Sequence, residues 1–214
     1  HVVDVTGLGR AEDGSPFIAM ELLRGMDLAD RLREAKRLEL PEVLELVSQV
    51  GEALGAADRA GIVHRDIKPQ NLFAVDDSPR RTWKVLDFGV SKARELTSQL
   101  TQGAIIGTPS YMSPEQARGL EVDHRSDVFS LGVIAYRCLT GRPAFTAPDS
   151  VLTVYNVVHM QPARPLDAAP HLGEDVERVL ALVLAKDRAR RFSTATMFAA
   201  ALADAARGRL DSRL

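Results

Sequence analysis

The sequence predicts an α+β fold that is mainly helical, with its few strands near the amino terminus. The early chain contains short apolar runs separated by turn signals, whereas most later segments repeat apolar residues at three- and four-residue spacing. With 214 residues, 45% of them hydrophobic, the chain can bury a sizeable core. We therefore expect one domain, or one large lobe with part of another.

Charge and cysteine content exclude several classes of protein. The net charge is −2 with acids and bases mixed, which gives no basic face for nucleic acid. No apolar run is long enough for a membrane span, and no signal peptide is recognised. Cys138 is the single cysteine and lies in an apolar run, which predicts a buried, inert thiol and a reducing, cytoplasmic setting. Because the chain begins at His1, we expect it to be part of a longer protein.

The first predicted elements are two strands and a short helix. Val2–Leu8 and Phe17–Leu22 have strand composition, and Asp13-Gly14 between them predicts a hairpin turn. Gly7-Leu8-Gly9 is interpreted as a turn at the end of the first strand. After a polar stretch, Leu28–Ala35 is predicted to be a short helix.

A longer amphipathic helix follows. Pro41 suits a first helical position, and Gly61 predicts the end of the helix. The apolar residues between them fall on one face: Val43, Leu44, Leu46, Val47, Val50, Leu54 and Ala57. Two short strands are predicted next, Leu72–Val75 and Trp83–Leu86, joined by a polar linker that contains Pro79.

The second half of the chain is predicted to be helical. Val90–Ser113 is rich in Ser, Thr, Gly and Pro and predicts a long loop. Arg125–Thr140 is apolar nearly all round, which predicts a buried helix ending at Gly141. Three more helices and a proline-rich loop complete the prediction: Ser150–His159, Asp175–Ala185, Ser193–Ala206 with Ser193 as N-cap, and the loop Gln161–Pro170.

Two polar stretches carry candidate chemistry: GIVHRDIKPQN and, after the two short strands, LDFG. Phosphoryl transfer requires a positioned hydroxyl, metal ions on the phosphates and positive charge where negative charge develops. Asp66 would accept or orient the hydroxyl proton, and Lys68 would neutralise the γ-phosphate. Asn71 and Asp87 supply hard oxygen ligands suited to Mg²⁺ or Mn²⁺. Each residue alone would be an ordinary turn residue, but the joint pattern is far more specific.

The pattern resembles the catalytic loop and metal-binding Asp-Phe-Gly of protein kinases. Over nearly its whole length, the chain is similar to the large lobe of a bacterial, Hanks-type (eukaryotic-like) serine/threonine kinase. Residues 107–115, GTPSYMSPE, resemble the end of an activation segment, and residues 127–132, DVFSLG, resemble the start of the buried central helix. Residues 17–23, FIAMELL, resemble the strand that enters the adenine-binding hinge. Arg191 lies where the family places an arginine that pairs with the glutamate, here Glu115.

This resemblance implies roles for the matching residues. ATP binding would involve Met20 behind the adenine pocket, backbone groups of Glu21 and Leu23, Phe73 beneath the adenine, Asp27 near the ribose or substrate, and Asp87 at the metal. Five residues would have structural roles: His64, Phe88, Glu115, Asp127 and Arg191. Among them, Asp127 would hold the catalytic loop through its backbone amides. Lys68 and Thr108 imply serine/threonine rather than tyrosine substrates.

Arg65 implies regulation by phosphorylation. In kinases with an arginine before the catalytic aspartate, that charge pairs with a phosphate on the activation segment and orders it. The candidate positions are Thr97, Ser98 and Thr101, and Thr101 is preferred.

The chain departs from a complete kinase at its amino end. It lacks the glycine-rich loop, strand lysine and helix glutamate of the small lobe. Residues 1–23 are expected to be the remnant of that lobe and the hinge strand, residues 24–207 the large lobe, and residues 208–214 a linker. We therefore expect this chain alone to bind ATP poorly and to transfer phosphate slowly or not at all. The two remnant strands are expected to be frayed.

Three alternatives to a protein kinase differ in which sequence features they explain. A pseudokinase-like docking module would have no reason to keep Asp66, Lys68, Asn71 and Asp87, but the absent small lobe keeps this alternative open for the chain itself. A small-molecule phosphotransferase of related fold would not need Lys68 or residues 107–115. A non-enzymatic helical protein would explain the helices but not the two loops. The sequence leaves open the physiological substrate, the activating signal and the oligomeric state.

Overall fold

The structure is a computed structural model that describes residues 1–76, 81–87 and 109–211. Its strands are β1 (Val5–Arg10), β2 (Pro16–Met20), β3 (Gly25–Asp27), β4 (Leu72–Val75) and β5 (Thr82–Val85). Its α-helices are α1 (Leu28–Ala35), α2 (Leu40–Arg59), α3 (Pro114–Ala117), α4 (His124–Thr140), α5 (Ser150–His159), α6 (Pro165–Ala168), α7 (Glu174–Val183) and α8 (Ala195–Ala205). One-turn 3-10 helices occur at Pro69–Asn71, Pro109–Tyr111, Pro170–Leu172 and Arg188–Arg190. The prediction of a mainly helical α+β fold is confirmed.

The five strands form two separate antiparallel sheets. β1 and β2 make the predicted hairpin, in which Arg10 lies opposite Pro16. The second sheet has the order β3-β4-β5 and brings together segments that are far apart in the chain. In it, Asp27 lies opposite Phe73 and Phe73 opposite Lys84. Directly opposed residues share a face, so these three side chains form one row across the sheet.

The amino-terminal prediction needs two corrections. The first strand starts at Val5 rather than Val2, because the preceding residues pair with β5 instead: the Val3 amide donates to the Val85 carbonyl (3.1 Å). The interpretation of Gly7-Leu8-Gly9 as a turn was wrong, since all three residues lie within β1. Gly9 faces Phe17 across the hairpin, and an added Cβ would lie 2.5 Å from the phenyl ring. The glycine therefore provides space for an aromatic ring in the partner strand.

Helix α4 lies at the centre of the hydrophobic core. Fourteen of its 17 residues are buried, which confirms the predicted buried helix. It packs against α2, α7 and α8, and the last of these also packs against α2. Gly132 permits the close approach of α7, since an added Cβ would lie 2.6 Å from the Val183 side chain. Gly141, with a left-handed φ of 71°, ends α4 as predicted.

Several predicted helix boundaries shift by one or two residues. Helix α2 begins at Leu40, so Pro41 occupies its second position. The N-cap of α8 is Thr194 rather than Ser193, because the Thr194 hydroxyl accepts a hydrogen bond from the Met197 amide (3.1 Å). The predicted loop Gln161–Pro170 contains the short helix α6, which starts at a proline.

Two expectations about the chain's chemistry are tested by the fold. Cys138 is fully buried in α4, which confirms the prediction of a buried thiol, and burial raises the pKa of that thiol. Among the described residues, no helix is both long and apolar enough to cross a membrane.

Candidate active site

Three of the predicted catalytic residues meet in the loop between α2 and β4. After α2, Gly61 adopts a left-handed φ of 71° and turns the chain into this loop. The Asp66 carboxylate accepts hydrogen bonds from the Lys68 ammonium (2.8 Å) and the Asn71 side-chain amide (3.2 Å). The same Asn71 nitrogen donates to the Asp66 backbone carbonyl (2.8 Å). The loop thus places a carboxylate, an ammonium group and an amide at one point.

The two predicted metal ligands lie on adjacent segments. The Leu86 amide donates to the Asn71 carbonyl (2.8 Å), which continues the pairing of β4 with β5. Asp87 directly follows Leu86, so it lies one residue beyond this contact with Asn71. Because the Asn71 amide nitrogen is hydrogen-bonded to Asp66, its amide oxygen is the atom that can bind a cation. Asp87 is exposed and has a φ of 48°, a conformation that is unfavourable for a residue with a side chain. This oxygen donor set fits Mg²⁺, which prefers oxygen ligands and usually completes its shell with phosphate and water.

Asp127 fixes the catalytic loop from the core. It lies in the first turn of α4, and its carboxylate accepts hydrogen bonds from the backbone amides of His64 (2.7 Å) and Arg65 (2.8 Å). Burial raises the pKa of Asp127 to about 6, and the two amide hydrogen bonds oppose that rise by stabilising the charged form. The most buried of the described helices therefore directly orders the loop that holds Asp66.

His64 connects the catalytic loop to the segment that leads to Asp87. Its ring is fully buried, with Nε2 3.0 Å from the Leu86 carbonyl oxygen and Nδ1 3.3 Å from the Asp66 amide. Since a carbonyl can only accept, Nε2 carries the proton, and Nδ1 accepts from the amide. Burial lowers the pKa of His64, which favours this neutral form at pH 7.

The ion pair implied by the family resemblance, Glu115 with Arg191, is present. Two hydrogen bonds of 2.7 and 2.8 Å join the groups, whose side chains are 7% and 0% exposed. Burial acts to raise the pKa of Glu115, but hydrogen bonds from Arg191 and Ser126 outweigh it and lower the pKa below its ordinary value. The guanidinium group also lies 4.7 Å from the Phe129 ring centre. This pair ties α3 to the core around α4.

Gln116 is a buried residue that contacts the catalytic loop, and this contact was not predicted from the sequence. Its side-chain nitrogen donates to the Arg65 carbonyl (2.8 Å), and its side-chain oxygen accepts from the Ser113 amide (3.0 Å). Ser113 caps α3 in return by accepting from the Gln116 amide (3.3 Å). Serine followed three residues later by glutamine is a capping-box signal, so the helix start could have been predicted. The contact with Arg65, 51 residues away, could not.

The predicted adenine-binding residues lie at the end of β2 and in the three-stranded sheet. The Glu21 amide donates to the Asp4 carbonyl (2.9 Å), so its own carbonyl is the backbone group that adenine could use. The Glu21 carboxylate accepts from the Asp4 amide (2.8 Å) and forms an ion pair with Lys84, a contact that the sequence did not indicate. Asp27 caps α1 through the Asp30 amide (2.8 Å), and it lies opposite Phe73 in the sheet.

Of the remaining predicted site residues, three lie in the described ranges and five lie outside them. Met20 ends β2 and is exposed, and Leu23 follows it in the segment before β3. Arg65 has a left-handed φ of 66°. Five predicted residues lie outside the described ranges, so their roles stay predictions: Phe88, Thr97, Ser98, Thr101 and Thr108.

Comparisons with known proteins agree with the site. The family model described as protein kinase domain matches residues 1–202. Serine/threonine-protein kinase pkn3 of Myxococcus xanthus is 40% identical over 222 residues, covering 98% of this chain and 40% of that protein. Serine/threonine-protein kinase PknB of Mycobacterium leprae is 37% identical, covering 91% of this chain and 31% of that protein. The chain thus spans less than half the length of either relative.

Solved structures match the fold as well. The crystal structure of the Mycobacterium tuberculosis PknI kinase domain superposes with a TM-score of 0.74 at 27% sequence identity. The match covers 96% of this chain and 72% of that one. A double mutant of the same domain gives a TM-score of 0.75. The sequence motifs, the geometry around Asp66 and these matches agree, and the chain belongs to the protein kinase domain family.

Proposed function

We propose that the protein containing this chain is a serine/threonine protein kinase, which transfers the γ-phosphate of ATP to serine or threonine hydroxyls of protein substrates. The observation that carries the proposal is the cluster of Lys68 and Asn71 on the Asp66 carboxylate, fixed from the core by Asp127. The relatives named serine/threonine-protein kinase support the substrate class. A docking module without catalysis would not require this arrangement.

The proposed step is an in-line transfer. The substrate hydroxyl oxygen forms a bond to the γ-phosphorus, the bond from that phosphorus to the bridging oxygen breaks, and ADP leaves. Asp66 orients the hydroxyl and accepts its proton, while Lys68 neutralises charge that develops on the phosphoryl oxygens. Mg²⁺ or Mn²⁺ held by Asn71 and Asp87 would supply further positive charge at the phosphates when bound. Thr108 would favour hydroxyl substrates of the serine/threonine type.

The remaining assignments complete the proposal. Met20, Glu21 and Leu23 line the adenine side, with Phe73 beneath the base and Asp27 toward the ribose or the substrate. Residues 1–23 are the remnant of the small lobe, residues 24–207 the large lobe and residues 208–214 a linker. The kinase domain is proposed to lie in the cytoplasm, whether or not the longer protein has a membrane anchor outside these residues.

Regulation by phosphorylation belongs to the same proposal. The Arg65 guanidinium would pair with a phosphate carried by Thr97, Ser98 or Thr101, with Thr101 preferred. Phe88, next to Asp87 in the sequence, is assigned a structural role.

The test is phosphate transfer from labelled ATP with Mg²⁺ to a generic serine/threonine protein substrate. The 214-residue chain is compared with the protein extended to its natural start, and Asp66→Asn in the extended form serves as the control. We expect transfer in the extended form and its loss in the control, because only the extension can supply the small-lobe groups that hold the phosphates. Transfer that persists in Asp66→Asn, or no transfer in either form, would contradict the proposal and favour the docking module.

A further inference from the structure

The peptide group immediately before Asp66 is held at both of its polar ends. Its carbonyl, that of Arg65, accepts from the Gln116 side chain (2.8 Å). Its N–H, that of Asp66, points to Nδ1 of His64 (3.3 Å). These two groups belong to one rigid plane, so the contacts of Gln116 and His64 together set its rotation. The orientation of this peptide plane sets the direction in which the Asp66 side chain projects from the backbone.

The peptide group between Arg65 and Asp66 requires such support because Arg65 has an unfavourable backbone conformation. Its φ of 66° lies in the left-handed region, which a residue with a Cβ occupies only when its surroundings impose it. The Asp127 carboxylate holds the Arg65 amide on one side of this residue (2.8 Å), and Gln116 holds its carbonyl on the other. The strained residue is thus fixed by two side chains from different helices, α4 and α3.

Gln116 can act as a rigid support because it is itself fixed. It is 7% exposed, and its side-chain oxygen accepts from the Ser113 amide (3.0 Å). The residue before it, Glu115, is anchored by the buried ion pair with Arg191. The side-chain amide of Gln116 therefore bridges the catalytic loop and an anchored helix start. Its nitrogen contacts the loop at Arg65, and its oxygen contacts the helix start at Ser113.

We propose that Gln116 is a positioning residue for the phosphotransfer reaction. By holding the Arg65 carbonyl, it keeps Asp66 in the orientation that the attacking hydroxyl needs, and it couples the segment around α3 to the catalytic loop. The proposal rests on the kinase activity proposed above. It assigns Gln116 no contact with substrate.

The chain offers a variant that removes this one hydrogen bond. In Gln116→Glu the carboxylate can still accept from the Ser113 amide, because glutamate serves the capping box as well as glutamine does. The carboxylate cannot donate to the Arg65 carbonyl, so two acceptors face each other in a buried place. Ser113→Ala is the matched control, since it removes the capping hydroxyl of α3 and leaves the Gln116 side chain in place.

Amide hydrogen exchange of the 214-residue chain tests the structural part of the proposal without any need for catalysis. In Gln116→Glu we expect protection of the His64 and Arg65 amides to fall about tenfold, with α4 unchanged, because a buried hydrogen bond is lost at this loop. In Ser113→Ala, protection of those two amides should stay unchanged. Unchanged loop protection in Gln116→Glu, or an equal loss throughout α4, would overturn the proposal.

Steady-state kinetics of the extended protein test the catalytic part. Gln116→Glu should lower kcat about tenfold or more and leave KM for ATP within about twofold, since the nucleotide site is untouched while the base is misplaced. Ser113→Ala should keep kcat. An unchanged kcat in Gln116→Glu would overturn the positioning role. An inactive unsubstituted protein would instead contradict the proposed function, and the exchange result would still decide whether Gln116 fixes the loop.

Discussion

The β1–β2 hairpin and helix α4 are both rich in apolar residues, but these side chains are largely exposed in the hairpin and buried in the helix. In the hairpin, Leu8 is 78% exposed and Ile18 is 56% exposed. In α4, Leu131 and Ile134 are fully buried among α2, α7 and α8. The difference divides the proposed active site, because the catalytic loop is fixed by the buried helix whereas the adenine-binding residues follow the exposed hairpin. On the proposed assignments, the catalytic geometry depends on the packed core, whereas the adenine side depends on the more exposed hairpin.

The contacts of the two regions show how this division arises. Asp127 of α4 holds the catalytic loop through two backbone amides, inside the core. The end of the hairpin is tied to the rest of the chain by the ion pair of Glu21 with Lys84, both partly exposed. Ion pairs that remain accessible to solvent contribute little to stability, less than the buried contacts at Asp127. We expect substitutions to separate catalysis, core stability and hairpin structure accordingly.

The largest expected effect is on catalysis alone. Asp87→Ala should lower phosphate transfer by the extended protein about a thousandfold, because a bound metal ion contributes several kcal/mol of charge stabilisation. The free energy of unfolding should change by no more than about 1 kcal/mol, since Asp87 is exposed and outside the core and only its left-handed φ favours aspartate over alanine. Kinetics and urea denaturation measure the two quantities. Substantial retained activity would contradict the metal assignment, and a large loss of stability would show that this edge of the site is part of the core.

An effect of similar size, on stability rather than catalysis, is expected at the buried ion pair. Glu115→Ala leaves the Arg191 guanidinium buried without its carboxylate, which should lower the free energy of unfolding by about 3–5 kcal/mol. Thermal and urea unfolding of the 214-residue chain measure this loss, with Glu115→Gln as the control that keeps shape and removes charge. An unchanged Tm in Glu115→Ala would contradict the view that this pair helps to hold α3 on the core.

The same pair should make stability depend on pH. The pKa of Glu115 in the folded chain lies below its ordinary value of 4.5, so the unfolded chain takes up a proton first as pH falls. The contribution of Glu115 is thus fully present above pH 4.5 and is lost as pH falls through the folded pKa. The stability difference between the unsubstituted chain and Glu115→Gln should be largest at neutral pH and shrink in acid. A difference that stays constant down to acidic pH would contradict this linkage.

The division between the two regions also explains what could be predicted from the sequence. Helix α4 was predicted closely because apolar residues on all faces indicate burial without any knowledge of the partners. Local motifs likewise indicated Asp66, Lys68 and Asn71, which lie within six residues of one another. The contacts of Gln116 with Arg65 and of Lys84 with Glu21 were missed, because they join segments 51 and 63 residues apart and leave no local pattern. Strand β3 was missed for a related reason, since its three residues become a strand only by pairing with β4.

The smallest expected effect tests the comparison most directly, because one substitution can be made in both regions. Leu8→Ala should change the free energy of unfolding by no more than about 0.5 kcal/mol, since the side chain is 78% exposed. Leu131→Ala is the matched control, and it should cost about 2–5 kcal/mol because it leaves a cavity in the core. Urea denaturation of the 214-residue chain measures both. A loss at Leu8 as large as that at Leu131 would mean that the hairpin belongs to the cooperative core, and nucleotide binding would then rest on the same packing as the catalytic loop.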